Sequence, residues 1–164
     1  MNLFPWLLWL HIFGAIVAFG PTFALPLIGA MGGKEPMHAN FSARINEKIE
    51  KGIIIPLAIV QAVTGVALLL LSGRNLTDSH NYWLSVAIVI YAIALYFAIF
   101  QQTRRIEALI HLTSSPPPPP AAGESPSGPP PAVLAAVKAT RQGGMFLTVM
   151  IVSIIFLMVI KPGS

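Results

Sequence analysis

The 164-residue chain has no cysteine and few charged residues. Without cysteine it can form neither disulfides nor thiolate metal sites, and it has no cysteine nucleophile. Charged residues make up 10% of the chain, against about a quarter in a typical soluble domain. This is too little polar surface for a soluble protein, and the length leaves no room for a separate soluble catalytic module.

The apolar stretches of the chain also lack the groups on which catalysis and ion-coupled transport usually depend. They contain no paired carboxylates, and we expect Asp78, Glu107 and Glu124 to lie outside the hydrocarbon. No glycine-rich phosphate loop or nucleophilic triad is recognisable. The methionines are scattered over different depths, which favours core packing over a copper pathway. These patterns favour a binding or structural protein over an enzyme.

Four apolar stretches are long enough, or nearly long enough, to cross a bilayer. A hydrocarbon core about 30 Å thick needs roughly 20 apolar residues of α-helix. The stretches run from Leu3 to Ile28, from Ile53 to Leu71, from Trp83 to Phe100 and, shorter, from Met145 to Ile160. The sequence therefore predicts one all-α integral membrane domain over residues 1–164, built as a bundle of four transmembrane helices.

The first stretch is too long for one straight span, because as a helix it would extend for about 39 Å. Gly20-Pro21 and Pro26 interrupt it. Since proline removes a backbone donor, a kink is predicted near residue 20. The stretch lacks a basic n-region and an A-x-A cleavage site, and its apolar run is too long for a signal peptide, so we interpret it as a retained helix.

Basic residues are distributed unevenly between the two ends of the predicted bundle. Eight lie in the segments that connect span one to span two and span three to span four, and two lie on the other side. Short basic loops stay in the cytoplasm, so both termini are predicted to lie outside. Trp6, Trp9 and Trp83 fall on the outer side, as an aromatic belt would. The eight are Lys34, Arg44, Lys48, Lys51, Arg104, Arg105, Lys138 and Arg141, and the two are Arg74 and Lys161.

The connecting segments predict helical extensions and a tether. Phe41 to Gly52 has apolar residues at four-residue spacing, so it is expected to extend span two as a helix. Gln101 to Thr113 and Ala132 to Gln142 are interpreted in the same way. Residues 114–131, SSPPPPPAAGESPSGPPP, are too rich in proline for a helix and are interpreted as a disordered or extended tether. A spacer is favoured over a docking site for a partner with an aromatic groove.

His11 is the only histidine within a predicted span, in the outer half of the bilayer. An imidazole there could ligate a haem iron or another metal, relay protons, or hydrogen-bond to a hydroxyl or carbonyl of a neighbouring helix. Metal coordination usually takes more than one protein ligand. His80 lies on the same side and is the one histidine that the topology allows to pair with His11, because His38 and His111 lie on the other side.

Small residues in the first two spans predict close helix packing. Gly14 and Ala18 form a small-xxx-small pair in span one, and Thr64-Gly65 provides a second surface for close approach in span two. Such residues let transmembrane helices pack tightly, so they are interpreted as helix-packing positions. Gln61 would also seek an interhelical partner, and His11 is a candidate for it.

Several of these segments together resemble a known family. Span one reads LLWLHIFGAIVAFGPTFALPLIG, span two reads IPLAIVQAVTGVALLL, span three opens with Trp-Leu, and the sequence ends in LMVIKPGS. The pattern resembles a family of uncharacterised bacterial integral membrane proteins, distantly similar to the copper-resistance D family and to the J-type membrane protoporphyrinogen oxidase. The resemblance covers all four spans but not the tether, and it implies a multi-pass protein of the bacterial inner membrane.

The oxidase resemblance implies a b-type haem, with His11 as the corresponding ligand in the first span. That family also carries lysines in its first and third spans, and these have no counterpart from Trp6 to Leu10 or from Leu84 to Val89. We therefore do not expect the protoporphyrinogen oxidase activity in this chain. The copper-resistance relatives imply metal handling.

We thus expect a binding or accessory subunit of a membrane complex, holding a b-type haem or pigment through His11, with His80 as the second candidate ligand. A haem-dependent membrane oxidoreductase and a small metal or solute permease are the alternatives. The expected partners are the lipid bilayer and other membrane subunits or further copies of the chain, and no nucleic acid.

Overall fold

The computed structural model describes residues 2–114 and 128–163 and contains four long helices. Each helix includes a window long and apolar enough to cross a membrane. The all-α class is therefore confirmed for the part of the chain that the structure describes. Most of the predicted tether, residues 115–127, lies outside it. The helices are α1 (Phe4–Lys34), α2 (Ala39–Ser72), α3 (Ser79–Thr113) and α4 (Pro131–Ile160).

Helix α1 is interrupted near its middle. Its α-helical hydrogen bonding covers Phe4–Phe19, gives way to a 3-10 turn over Gly20–Phe23, and resumes over Leu25–Lys34. Pro21 and Pro26 lie at the starts of the second and third of these segments, where their missing N–H groups are tolerated. The interruption predicted near residue 20 is confirmed.

Helices α2 and α3 continue well beyond the length needed to cross a membrane. The 34 residues of α2 form roughly 51 Å of helix, against about 30 Å of hydrocarbon. The predicted helical extensions are therefore continuous with the spans. Each of the two helices also contains one π-helical turn, over Glu50–Ile54 in α2 and over Phe97–Gln102 in α3.

The helices pack against their neighbours in chain order. We call the end of the bundle with both termini the terminal end, and the opposite end the loop end. Towards the terminal end, α1 packs on α2 and α3 packs on α4. Towards the loop end, α2 and α3 also pack closely together, and the 3-10 turn of α1 touches α4. The four helices therefore close into one bundle in the loop half.

Polar side chains bind neighbouring helices together at the loop end. Asn40 Nδ2 donates to the carbonyl of Ile110 at 2.9 Å and so links α2 to α3. Arg105 Nη1 donates to the carbonyl of Ala139 at 3.0 Å and links α3 to α4. Hydrogen bonds from a charged donor are stronger than neutral ones. One of the basic residues of the loop end, Arg105, therefore links two helices of the bundle.

The interior of the bundle consists mainly of small side chains. Six of the ten buried apolar residues in the described part are alanines, and no large side chain there is fully buried. Most large apolar side chains face outward, where lipid or a neighbouring membrane subunit would cover them. The helices therefore approach through small residues and a few polar contacts.

Trp83 is a packing residue and does not belong to an aromatic belt. Trp6 and Trp9 are 67% and 59% exposed, whereas Trp83 is 6% exposed. Arg74 Cζ and Lys161 Nζ lie 5.9 and 5.7 Å from the centroid of its ring. The belt interpretation is wrong for Trp83, because its ring joins the start of α3 to the segments that follow α2 and α4.

Candidate ligand-binding histidine between helices α1 and α2

The His11 side chain reaches from α1 to α2 in the terminal half of the bundle. Its Nδ1 lies 2.8 Å from Thr64 Oγ1. The same hydroxyl lies 3.1 Å from the carbonyls of Val60 and Gln61. A hydroxyl has one proton, so while Thr64 donates to one of these carbonyls it accepts from His11 Nδ1–H. In the tautomer that accompanies this donation by Thr64, the imidazole proton lies on Nδ1 and Nε2 carries a lone pair.

The second ring nitrogen of His11 is available for another interaction. Within residues 2–114 and 128–163, Nδ1 is the ring nitrogen that forms a hydrogen bond, and the side chain is only half-buried. A histidine with Nδ1–H held by an acceptor and Nε2 free matches the arrangement of metal-bound histidines. The contact with Thr64 also serves helix packing by itself, since it joins α1 to α2.

Two glycines allow α1 and α2 to approach closely around the histidine. A Cβ atom at Gly65 would lie 3.2 Å from His11 Cε1, and one at Gly14 would lie 2.9 Å from Gln61 Oε1. Ala18, one turn along α1 from Gly14, is fully buried. The structure thus places the glycines and the glutamine, which the sequence analysis interpreted as packing positions, at the interface that holds His11.

The hydrogen-bond partner of His11 is Thr64 and not Gln61. Both residues lie on the buried face of α2, and they are separated by three positions. Gln61 Oε1 instead faces the backbone of α1 at Gly14. The sequence alone does not show which of the two residues contacts His11, because this depends on the axial register of α1 against α2.

His80 occupies a different environment from His11. It lies in the 3-10 turn Ser79–Asn81 at the start of α3 and is exposed. Its Nδ1 lies 3.2 Å from the carbonyl of Gly163, beyond the end of α4. No hydrogen bond in the described ranges connects the two histidines, and these ranges hold no group of three or more His, Asp or Glu side chains suited to a metal ion. His11 and His80 therefore belong to different contacts of the bundle, His11 to Thr64 of α2 and His80 to the carbonyl of Gly163.

Glu50 is a buried acidic residue that the sequence analysis missed. The pattern from Phe41 to Gly52 predicts a charged helical extension, yet Glu50 is 4% exposed, and its Oε1 has no hydrogen-bond partner in the described part of the chain. The buried face of α2 contains Ala43, Glu50, Ile54 and Ala58, which follow one another at helical spacing. That periodicity could have identified Glu50, whereas Phe41, which suggested a different face, is 64% exposed.

Comparison with known proteins reaches the level of the family. Residues 5–162 match the model of a family described as predicted integral membrane protein (DUF2269). No curated protein and no solved structure gave a match. The family match does not show similarity to the copper-resistance D family or to the J-type protoporphyrinogen oxidase, so that resemblance stays an expectation. Because the match extends through all four helices, the chain belongs to this predicted integral membrane protein family (DUF2269).

Proposed function

We propose that this protein is a membrane subunit that binds a b-type haem, or a related pigment, through Nε2 of His11. The observation that carries the proposal is the 2.8 Å hydrogen bond between His11 Nδ1 and Thr64 Oγ1, in which we propose that Nδ1–H is the donor. Iron takes an axial imidazole through a nitrogen lone pair, and a hydrogen bond on the other ring nitrogen fixes the tautomer and the ring orientation.

The residues around His11 would hold its imidazole as one ligand of the haem iron. Thr64 orients the ring, and Gly65 leaves space for it against α2. The same part of α1 carries an outward-facing aromatic pair, Trp9 stacked on Phe13 with centroids 5.3 Å apart, which suits an apolar macrocycle or a neighbouring subunit. When bound, a b-type haem supplies reversible one-electron transfer.

The presence of a single histidine at this site supports the proposed role of an accessory subunit. The described part of the chain places one imidazole at this site, so any second protein ligand would come from another subunit or a second copy of the chain. The outward-facing apolar side chains of α1 provide surface for such a neighbour. We therefore propose a complex in which this bundle contributes His11.

The proposed location is the bacterial inner membrane with both termini outside. The loop end has eight basic residues and the terminal end has two, and the positive-inside rule assigns the basic end to the cytoplasm. His11 would then lie in the outer half of the membrane. Cysteine-accessibility labelling of single cysteines introduced near Asn2 and near Glu35 in intact cells tests this orientation.

The proposal is tested by the absorption spectrum of the full chain purified in detergent from haem-replete cells. We expect the sharp bands of a reduced b-type haem after dithionite, and we expect them to be lost in His11→Ala. His111→Ala is the matched control, because it removes an exposed histidine from the loop end and should leave the bands unchanged. A featureless spectrum from well-folded wild-type protein would contradict the proposal, as would bands that persist in His11→Ala.

Removing the Thr64 hydroxyl should weaken haem binding without removing the ligand. In Thr64→Val, Nδ1–H loses its acceptor, and losses of this kind lower metal affinity by about 10- to 100-fold. Thr64→Ser keeps the hydroxyl and should bind as the wild type does. Titration of the haem-free proteins with haemin measures the difference, and equal affinities for the valine and serine variants would show that Thr64 has no such role.

A further inference from the structure

Among the carboxyl groups that the structure describes, that of Glu50 is the buried one. The side chain is 4% exposed, and its Oε1 has no hydrogen-bond partner in residues 2–114 and 128–163. Burying a charged carboxylate without a partner is far more unfavourable than burying a neutral carboxylic acid. The position of Glu50 in the folded protein therefore favours its protonated form.

The charged groups of the neighbouring helices do not neutralise Glu50. Lys51 Nζ lies 2.7 Å from Glu47 Oε1 and 2.6 Å from Glu107 Oε1, so its charge is directed to those two carboxylates. Arg105 of α3 donates to a backbone carbonyl of α4. No ion pair in the described ranges includes Glu50.

The helices α1 and α4 bring no partner for this carboxyl either. Between His11 and Lys34, α1 has no titratable residue. The basic residues of α4 near the loop end, Lys138 and Arg141, are exposed. A proton is therefore the species that can remove the charge of Glu50 within the bundle.

Glu50 lies on the loop side of the apolar stretch that begins at Ile53. Burial raises the pKa of its carboxyl to about 7, the positive charge of Lys51 limits the rise, and the negative charge of Glu47 adds to it. The carboxyl thus changes its charge close to neutral pH, where a proton can act as a signal.

The register between α1 and α2 is the same in both halves of the bundle. His11 lies beside Thr64 in the terminal half. In the loop half Gly29 lies beside Asn46, because a Cβ atom at Gly29 would be 3.7 Å from Asn46 Nδ2. The two contacts are 18 residues apart on each helix. Residues 20–23 of α1 are therefore level with residues 52–55 of α2.

Both helices depart from regular α geometry at this level. The 3-10 turn Gly20–Phe23 of α1 is level with the end of the π-helical turn Glu50–Ile54 of α2, and we call these two turns the hinge. The π-helical turn contacts the Phe4–Phe19 segment of α1, and the 3-10 turn touches α4. Irregular turns inside helices often mark functional hinges. The hinge joins the terminal half to the loop half, where the four helices close into one bundle.

We propose that Glu50 is a proton-binding site that controls how α1 packs on α2 at the hinge. With a neutral carboxyl the π-helical turn stays buried and the loop half stays closed. Loss of the proton leaves a charge that water must solvate, so the two helices separate there. This site is separate from His11 and does not depend on haem binding.

The stability of the bundle should fall as the pH rises. In the unfolded chain the carboxyl has the ordinary glutamate pKa of about 4.3, below its value in the folded protein. The folded state then binds more protons between about pH 4.5 and about pH 7, so the free energy of unfolding decreases across this window. We expect the equilibrium constant for unfolding in SDS mixed micelles to rise at least about tenfold between about pH 5 and about pH 8.

Two variants assign this pH dependence to Glu50. In Glu50→Gln the decrease in stability should be lost, because the amide is neutral at every pH. Glu35→Gln is the matched control, since it makes the same change at an exposed carboxylate and should keep the dependence of the wild type.

Opening of the hinge is measured separately by thiol labelling, since the chain has no cysteine of its own. Thr22→Cys places a thiol in the 3-10 turn at a position that is 7% exposed, and Ser114→Cys places one at an exposed position. The labelling rate at residue 22 relative to that at residue 114 should rise at least about fivefold between about pH 5.5 and about pH 8. Glu50→Gln should abolish the rise.

A third measurement tests the proposal if Glu50→Gln does not fold. The infrared spectrum of the wild type should show the carbonyl stretch of a protonated carboxylic acid at about pH 6 and lose it by about pH 8.5, whereas solvated carboxyls are ionised at both values. Absence of the band at the lower pH overturns the proposal. Equal stability at the two pH values, a decrease that Glu50→Gln retains, or a labelling ratio that does not change with pH also overturns it.

Discussion

Replacing Trp83 with alanine is expected to lower the free energy of unfolding of the bundle by about 3–5 kcal/mol. Trp83 is the largest of the buried apolar side chains in the described part of the chain, at 6% exposure. Its removal leaves a cavity where α3 begins. It also removes the ring face against which Arg74 and Lys161 lie, and each cation–π contact contributes about 0.5–1 kcal/mol at a site of this kind.

The control for Trp83 is Trp6→Ala, which removes the same side chain from an exposed position. A surface substitution of this kind should change stability by no more than about 0.5 kcal/mol. Unfolding in mixed micelles with increasing SDS, followed by circular dichroism, compares the two variants with the wild type. If Trp6→Ala lowers the free energy of unfolding as much as Trp83→Ala does, the assignment of Trp83 to the interior is wrong.

Gly32→Ala is expected to destabilise the bundle by about 1–3 kcal/mol, the usual effect of adding a methyl group to a packed interface. Gly32 is buried where the end of α1 packs on the beginning of α2. An added Cβ would lie 2.8 Å from Ser42 Cβ and 3.4 Å from the Cα of Ala39. Neither atom is the end of a flexible side chain, so the helices themselves would have to move apart.

The adjacent Gly33 provides an internal control. A Cβ atom there would meet nothing within 4 Å, and the residue is exposed in the last turn of α1. Gly33→Ala should therefore be neutral, or stabilising by up to about 1 kcal/mol through its higher helix propensity. The same SDS titration measures both variants. Equal stabilities for Gly32→Ala and Gly33→Ala would contradict the close contact between α1 and α2.

Much of the fold could be predicted from the sequence because the signals are local. Apolar length identified four membrane-crossing helices, since the backbone must satisfy its hydrogen bonds within each helix in lipid. Pro21 beside Gly20 located the interruption of α1, because a missing N–H acts within one turn. The family match then agreed with the membrane interpretation.

The candidate site could be predicted only in part. His11 and the small residues near it stand out because polar and small side chains are rare in a membrane span. The hydrogen-bond partner of His11 could not be predicted, because Gln61 and Thr64 lie on the same face of α2. Only the axial register of α1 against α2 places Thr64 next to His11. His80 shares a side of the membrane with His11 but belongs to a different helix contact.

The sequence by itself determined the class of protein, the number of helices and the place where α1 breaks, because these depend on hydropathy and on backbone chemistry within a few residues. Only the tertiary structure decided that Thr64 contacts His11 and that Trp83 and Glu50 are buried. Each of these depends on the rotation and register of one helix against another. Small side chains set both, and a gain or loss of one methyl group at the contact can change them.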